Sequence, residues 1–255
     1  MMRYLVNLLR NSEIFSRLFH TIGYCVKSEL KDCESVLDLG CGPNSVIQFS
    51  KHIKYSVGVD AFDPYLKQIK KRKLHTKYIK AKIQDIKFPK KSFDAVIMIE
   101  VLEHMSKRDG LRALINAEKW AKKKIIITTP NGYFRMGEVD DNLYQKHISG
   151  WTAEELSRLG FRCSGVTGAK FMYSEENHVH SLNEGFGFSN MRFNPKPLSF
   201  IINAFLQLIV YYFPNYAFEL FAIKKMLILL VFMLVSEFKP PKPNPRLSFS
   251  KPEMP

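Results

Sequence analysis

The segment VLDLGCGPNS at 36–45 ends an apolar run on Asp38 and enters a turn built on Gly40 and Gly42. Glycine lets the chain reverse sharply there and leaves no side chain between backbone and ligand, so a nucleotide-like molecule can approach closely. Eighteen residues after Gly42, a second apolar run ends in Asp60, whose carboxylate can accept hydrogen bonds from both hydroxyls of a ribose. A lone G-x-G also ends strands for conformational reasons, and a dinucleotide fold would show much the same Asp60. That fold, however, wants a third glycine where this chain has Ser45, and Pro43 lacks the N–H that a pyrophosphate cradle would use. The loop suits a ligand without phosphates. Two histidines can work as bases: His104, next to Glu103 at the end of FDAVIMIEVLEH, and His147 in YQKHISGW. A neutral imidazole near its ordinary pKa can take the proton of a hydroxyl, while bracing of the surrounding loop is the alternative role of each. Glu138, Asp140, Asp141 and Tyr144 share the loop before His147, where solvated polarity explains them.

The elements that would hold these residues alternate in type. Runs rich in β-branched residues, at 35–39, 55–60, 78–83, 93–99 and 124–129, are separated by stretches such as PYLKQIKKRK and RDGLRALINAEKWAKK with helical apolar spacing. Strands joined through helices predict a mostly parallel sheet with helices on both faces. The nearly unbroken apolar runs at 93–99 and 124–129 predict central strands. Thr152 with Glu155 forms a capping box that starts a helix ended by Gly160. A further strand is expected over 161–168, and YAFELFAIKK reads as a last strand.

Glycine turn, Asp60, Asp85 in KIQDI, the 93–105 segment and TPNG at 129–132 together resemble the class I S-adenosylmethionine-dependent methyltransferase family. The resemblance covers approximately residues 34–170 and resumes at 214–225. It implies a Rossmann-like α/β fold, a doubly wound, mostly parallel seven-stranded sheet with helices on both faces, and S-adenosyl-L-methionine as cofactor. It assigns the methionine moiety to Asp38, Gly40, Cys41 and Gly42, the ribose to Asp60 and the adenine amino group to Asp85. Ala61, Phe62 and Ile86 would flank the purine, and Glu100 would lie beside the cofactor. FDAVIMIEVLEHM is similar to the corresponding segment of small-molecule O-methyltransferases, those of ubiquinone biosynthesis included. A small-molecule, glycan or lipid acceptor methylated at oxygen is therefore expected, with His104 and His147 as candidate catalytic residues. A different reading is a non-catalytic protein that keeps the fold for assembly or regulation at a membrane surface. A nicotinamide-dependent oxidoreductase is disfavoured by Ser45 and Asp85. Enzymes that methylate exocyclic nitrogens of nucleic acids usually carry an N-P-P-Y-like tetrad where this chain has IEVL, so nucleic acid is not an expected partner.

The whole chain, 255 residues with 46% hydrophobic and 24% charged residues, has room for one sizeable domain. Residues 1–33 read as an amphipathic helical segment covering the domain or a substrate cleft, without the continuous apolar run of a signal peptide. The catalytic domain is expected over 34–225, and 226–255 as an apolar stretch with a proline-rich tail. Four cysteines without a paired spacing indicate neither a zinc site nor a disulfide framework; no metal is expected, and a reducing cytoplasm fits. The net charge of +14 is concentrated between Lys67 and Lys91, where eleven Lys or Arg meet one acid, Asp85. That stretch is a solvated helix face followed by a basic loop, or a surface for an anionic partner. The apolar runs at 198–213 and 226–235 fall short of the ~20 residues of a spanning helix and are read as core. Were 198–213 instead to present an apolar face beside the basic stretch, the protein could dock peripherally on anionic membrane.

Overall fold

The structure is a computed structural model in which residues 12–138, 140–174 and 191–226 are described. Seven strands, β1 (Ser35–Leu39), β2 (Tyr55–Asp60), β3 (Lys77–Lys80), β4 (Phe93–Ile99), β5 (Ala121–Pro130), β6 (Arg162–Ala169) and β7 (Ala217–Lys225), form one sheet. Their order is β3-β2-β1-β4-β5-β7-β6. Pairing is parallel from β3 through β5, and β7 runs antiparallel to both its neighbours. This is the doubly wound, mostly parallel sheet expected. The chain moves outward from β1 to β3, then returns to β4 on the other side of β1, and that reversal opens a crevice at the carboxyl ends of the strands.

Among the described residues six helices cover the sheet: α1 (Glu13–Leu18), α2 (Ile22–Glu29), α3 (Asp63–Lys71), α4 (Lys107–Trp120), α5 (Ala153–Arg158) and α6 (Lys196–Val210). Alternate residues of each central strand serve opposite layers, as the two-residue period of a strand requires. Leu37, Val96 and Ile125 pack with Leu114, Ala117 and Trp120 of α4 and Leu156 of α5. Their neighbours Val36, Ile97 and Ile126 pack with Cys25 and Val26 of α2 on the other face. The capping box at Thr152 and Glu155 is present at the start of α5.

Several expectations need correction. After Lys80 the third strand gives way to a 3-10 turn at Ile83–Asp85, so it is shorter than the 78–83 run. The N-terminal segment is not one helix: α1 and α2 are separate, with His20 between them at φ +50°, and residues 1–11 lie outside the described ones. The 198–213 run is no core helix, because α6 buries Ser199, Asn203, Gln207 and Val210 and exposes Leu198, Ile201, Ile202, Phe205 and Ile209. Nor does it lie beside the basic stretch. That stretch runs through α3 and β3 at one edge of the sheet, whereas α6 packs on β6 at the other. Within α3, Tyr65, Leu66 and Ile69 are buried and the lysines are solvated. Met226 packs against the core, while the rest of the 226–235 run and the proline-rich tail fall outside the described residues. Among the described residues no helix is long and apolar enough to cross a membrane.

Candidate functional site

The turn after β1 is held by the end of β2. Gly42 N donates to Asp60 Oδ2 at 2.9 Å and Phe62 N to Asp60 Oδ1 at 2.8 Å. Gly40 and Gly42 have φ of +69° and +54°. A Cβ on Gly40 would sit 2.6 Å from a methyl of Val101, while one on Gly42 would enter open space, the room a ligand needs beside the backbone. Burial raises the Asp60 pKa although backbone N–H groups oppose it. Asp38 lies one layer deeper and accepts the Ser45 hydroxyl; Ser45 Oγ in turn accepts from Ile47 N at 3.1 Å, capping the short 3-10 helix Val46–Phe49. Ser45, which stands where a dinucleotide loop wants glycine, thus braces the turn. Burial pushes the Asp38 carboxyl up to about 7, the neighbouring Asp60 adding to it. His75 Nε2 is 3.4 Å from Asp38 Oδ2, and burial lowers this imidazole to about 4.

Above the turn, at the carboxyl edge of β1, β2 and β4, lies a cavity of about 310 Å³, within the usual size of a small-molecule site. Gly40, Gly42, Asp60, Ala61, Glu100 and His104 line it. The opposite wall is Ala81, Lys82, Ile83 and Gln84, and its mouth carries Asn142, Tyr144 and Gln145. Five residues assigned to the cofactor are not on this lining. Asp38 and Cys41 are buried beneath the turn, and Ile86 belongs to the core. Phe62 stacks edge-on against Tyr65 at 4.9 Å. Asp85 is solvent-exposed, because the 3-10 turn after β3 presents Gln84 to the cavity instead. Of the loop acids, Asp140 accepts the Tyr65 hydroxyl at 2.8 Å, and Glu138 and Asp141 are exposed. TPNG is structural: Asn131 Nδ2 donates to the carbonyls of Pro214, Asn215 and Ala217, pinning the entry to β7.

A cluster that sequence reading did not assemble lies at the end of β4. Glu100 is held at φ +54°, a left-handed backbone that costs a non-glycine residue on the order of 1–3 kcal/mol and is tolerated mainly at functional positions. Glu103 is 1% exposed; its Oε2 accepts the Thr129 hydroxyl at 2.9 Å. Glu103 Oε1 and Glu100 Oε1 are buried without a hydrogen-bond partner. Burial raises both carboxyl pKa values; Glu219 and Glu103 add to the rise at Glu100, and Glu219 adds to it at Glu103. His104 and His147 meet edge to face with ring centroids 4.9 Å apart. His147 Nδ1 lies 2.7 Å from the Phe134 carbonyl and His104 Nδ1 3.3 Å from that of Lys146. A carbonyl can only accept, so these contacts place a proton on Nδ1 of each neutral ring and leave Nε2 with its lone pair. Burial lowers both imidazoles, His104 to about 4 with His147 adding to the effect. Ligand atoms of Glu103, His104 and His147 lie within 4.8 Å of one another, a spacing and donor set that could hold a divalent cation. Only the fold could reveal this, since His147 is far from His104 in sequence and itself lies behind the cavity wall.

Residues 37–127 match the family described as a methyltransferase domain. No curated protein matches the chain in sequence. Among solved structures it is similar to a SAM-dependent methyltransferase from Archaeoglobus fulgidus, at 20% identity over 84% of this chain and 98% of that one with a TM-score of 0.45. The plantazolicin methyltransferase BpumL in complex with SAH gives 16% identity, 87% and 88% coverage and a TM-score of 0.47. The PH0226 protein from Pyrococcus horikoshii OT3 gives 21%, 48% and 57%, and 0.40, so the chain spans little more than half of that protein's length.

Proposed function

We propose that this chain is a class I S-adenosylmethionine-dependent methyltransferase that methylates an oxygen atom of a hydroxyl-bearing small-molecule, glycan or lipid acceptor, a reading supported by the match of residues 37–127 to a methyltransferase-domain family. The observation that carries the reading is the buried Glu100–Glu103–His104–His147 cluster, which meets the cavity through Glu100 and His104. The cavity suits the cofactor. Gly42 leaves its space open, Asp60 can accept from ribose hydroxyls, and Ala61, Ile83 and Gln84 offer apolar and amide contacts to a purine. When bound, S-adenosylmethionine supplies a methyl group on a sulfonium, so an alcohol must lose its proton as its oxygen attacks. Fixing the two partners in line is worth about 7–11 kcal/mol, and the protein's remaining task is the proton.

His104 alone is a poor match for that task. Buried and lowered to about 4, it is neutral near pH 7 but too weakly basic to deprotonate an alcohol efficiently. The two neutral imidazoles together with the Glu103 carboxyl, whose Oε1 is 3.8 Å from His104 Nε2, and the neighbouring Glu100 carboxyl are instead a ligand set. Their carbonyl partners orient the rings, as partners of metal-bound histidines commonly do. Glu103, His104 and His147 would hold a divalent cation, with Glu100 beside them. Such an ion would supply Lewis acidity that lowers a hydroxyl pKa and would offset the repulsion between the buried acids.

Turnover of S-adenosylmethionine to S-adenosylhomocysteine on a panel of acceptors tests this. Glu103→Gln and His147→Ala are expected to lower kcat by roughly a hundredfold or more, the scale of a lost acid–base or electrophilic group, with S-adenosylhomocysteine affinity unchanged. Chelation should abolish turnover and added divalent cation restore it. Undiminished activity in Glu103→Gln, or product formed only on acceptors without a hydroxyl, would refute the assignment.

A further inference from the structure

Helix α6 is inside out. Ser199, Asn203 and Gln207, four residues apart, form a polar stripe that is buried, and the stripe is fully used. Ser199 Oγ donates to the Phe193 carbonyl at 2.9 Å. Asn203 Oδ1 accepts from Ala169 N at 2.8 Å, and its Nδ2 donates to the Thr167 carbonyl at 3.2 Å. Gln207 Oε1 accepts from Gly168 N at 2.6 Å while Nε2 donates to the Gly165 carbonyl at 3.1 Å. Glycine permits this approach: a Cβ on Gly165 would lie 2.1 Å from the Val210 carbonyl oxygen, and one on Gly168 2.2 Å from Asn203 Oδ1. With its polar face locked onto β6, the helix must turn its apolar face outward. Ile201, Ile202, Phe205, Ile209, Tyr212 and Phe213 are 45 to 71% exposed.

We propose that this face is a membrane-docking surface on which α6, with α1 beside it, lies in the interfacial layer of a lipid bilayer. Phe19, the residue that caps α1, meets Phe205 edge to face at 6.3 Å, and α1 adds exposed Ile14 and Leu18, so the two helices form one apolar surface. Aromatic residues stand at both of its ends, Phe193 before α6 and Tyr212, Phe213 and Tyr216 after it, where rings with an apolar body and a polar rim sit at headgroup level. Charge is complementary to anionic lipid: from 191 to 217 the chain carries Arg192 and Lys196 and no acid, and α1 carries Arg17 with its one acid, Glu13, paired to Lys27 at 2.8 Å. The lysine-rich 67–91 stretch, at the far edge of the sheet, takes no part. Between α1, α2 and α6 lies a cavity of about 460 Å³ of mixed lining, with Phe15, Phe19 and Phe200 beside Glu13, Lys27 and His20. Apolar contact area and cationic flanks are the two terms that hold an amphipathic helix at such an interface.

Flotation of the full chain with vesicles tests the proposal, using phosphatidylcholine alone and with added phosphatidylglycerol. The protein should float with both, more strongly with the anionic vesicles. Ile201→Gln/Phe205→Gln/Ile209→Gln should reduce the bound fraction by roughly tenfold or more while leaving the melting temperature and S-adenosylhomocysteine binding unchanged; the single variants Ile201→Gln and Ile209→Gln give the same reading should the triple variant not fold. No flotation of the wild type overturns it. So does a wild-type dimer that the triple variant turns into a monomer without either binding vesicles, which would assign the face to a second copy. A fall in melting temperature of every variant without vesicle binding would assign it to other residues of this chain.

Discussion

Asp60 carries two loads, one visible and one implied. It ties Gly42 and Phe62 to the end of β2, and it presents an acceptor to the cavity. Asp60→Asn keeps one carbonyl oxygen for the turn, whereas Asp60→Ala removes both functions. Calorimetric titration should find S-adenosylhomocysteine binding weakened by about 1–3 kcal/mol in Asp60→Ala, the scale of lost hydrogen bonds to a charged group, and by less in Asp60→Asn. Equal affinity in all three proteins would remove the ribose from this residue. His75 yields a prediction about acid. Its folded pKa of about 4 lies below the ~6.5 of an unfolded histidine, so on acidification the unfolded chain takes up the proton first and stability falls as pH drops from 6.5 to 4. Asp38, raised from 3.8 to about 7, acts in the opposite sense over the whole of that range, so the effect is read as a difference between proteins. Denaturation at a series of pH values should show the wild type losing about 3 kcal/mol more than His75→Gln across the interval, at ~1.36 kcal/mol per unit. Identical slopes would mean that His75 is solvated and not buried neutral. At this scale the sequence was legible where the signal is local. The glycine turn and Asp60 needed only a strand end and a spacing. Asp85 misled because β3 stops at Lys80 and the following 3-10 turn rotates Gln84 into the cavity. The partnership of Glu103 with His147 was invisible, since it depends on where the loop after β5 returns.

Strands follow from the alternation of β-branched runs with helical spacing, and the central place of β4 and β5 from their nearly unbroken apolar runs. The orientation of helix α6 does not follow in this way. Its apolar content argues for burial, yet the edge strand it covers offers backbone N–H and C=O groups at Gly165, Thr167, Gly168 and Ala169. Groups of that kind cost more unpaired than an exposed isoleucine costs solvated, so the minority polar stripe wins the inward face. A contrast between two substitutions follows from that ranking. Asn203→Leu adds apolar surface but strands Ala169 N–H and leaves the Thr167 carbonyl with the Tyr173 hydroxyl as its one remaining side-chain donor, and chemical denaturation should show a loss of about 1–3 kcal/mol. Phe205→Gln removes a large apolar side chain from an exposed position and should change stability by no more than about 0.5 kcal/mol. The opposite ranking would show that α6 is held by its apolar residues and that the polar stripe is incidental.

The sheet sets three surfaces far apart: a lysine-rich edge at β3, an apolar edge at α6, and between them the crevice where the strand order reverses. A ligand in that crevice touches the ends of β1, β2 and β4, the turn after β3 and the loop carrying Asn142 to Gln145, so it ties together parts of the chain that separate on unfolding. Binding to the native state alone stabilises by about 2.7 kcal/mol at a hundredfold excess over Kd. For a chain of this size that corresponds to a rise in melting temperature of about 5–10 °C. S-Adenosylhomocysteine should produce that rise. NAD should not, because Pro43 has no N–H to give, the Ser45 hydroxyl is committed to Asp38, and the helix that follows is a single short 3-10 turn, too little to cradle a pyrophosphate. Differential scanning fluorimetry with each nucleotide decides between them: an equal or larger shift with NAD would return the crevice to the dinucleotide-binding proteins and, with it, withdraw the methyl-transfer chemistry assigned to the Glu103 cluster.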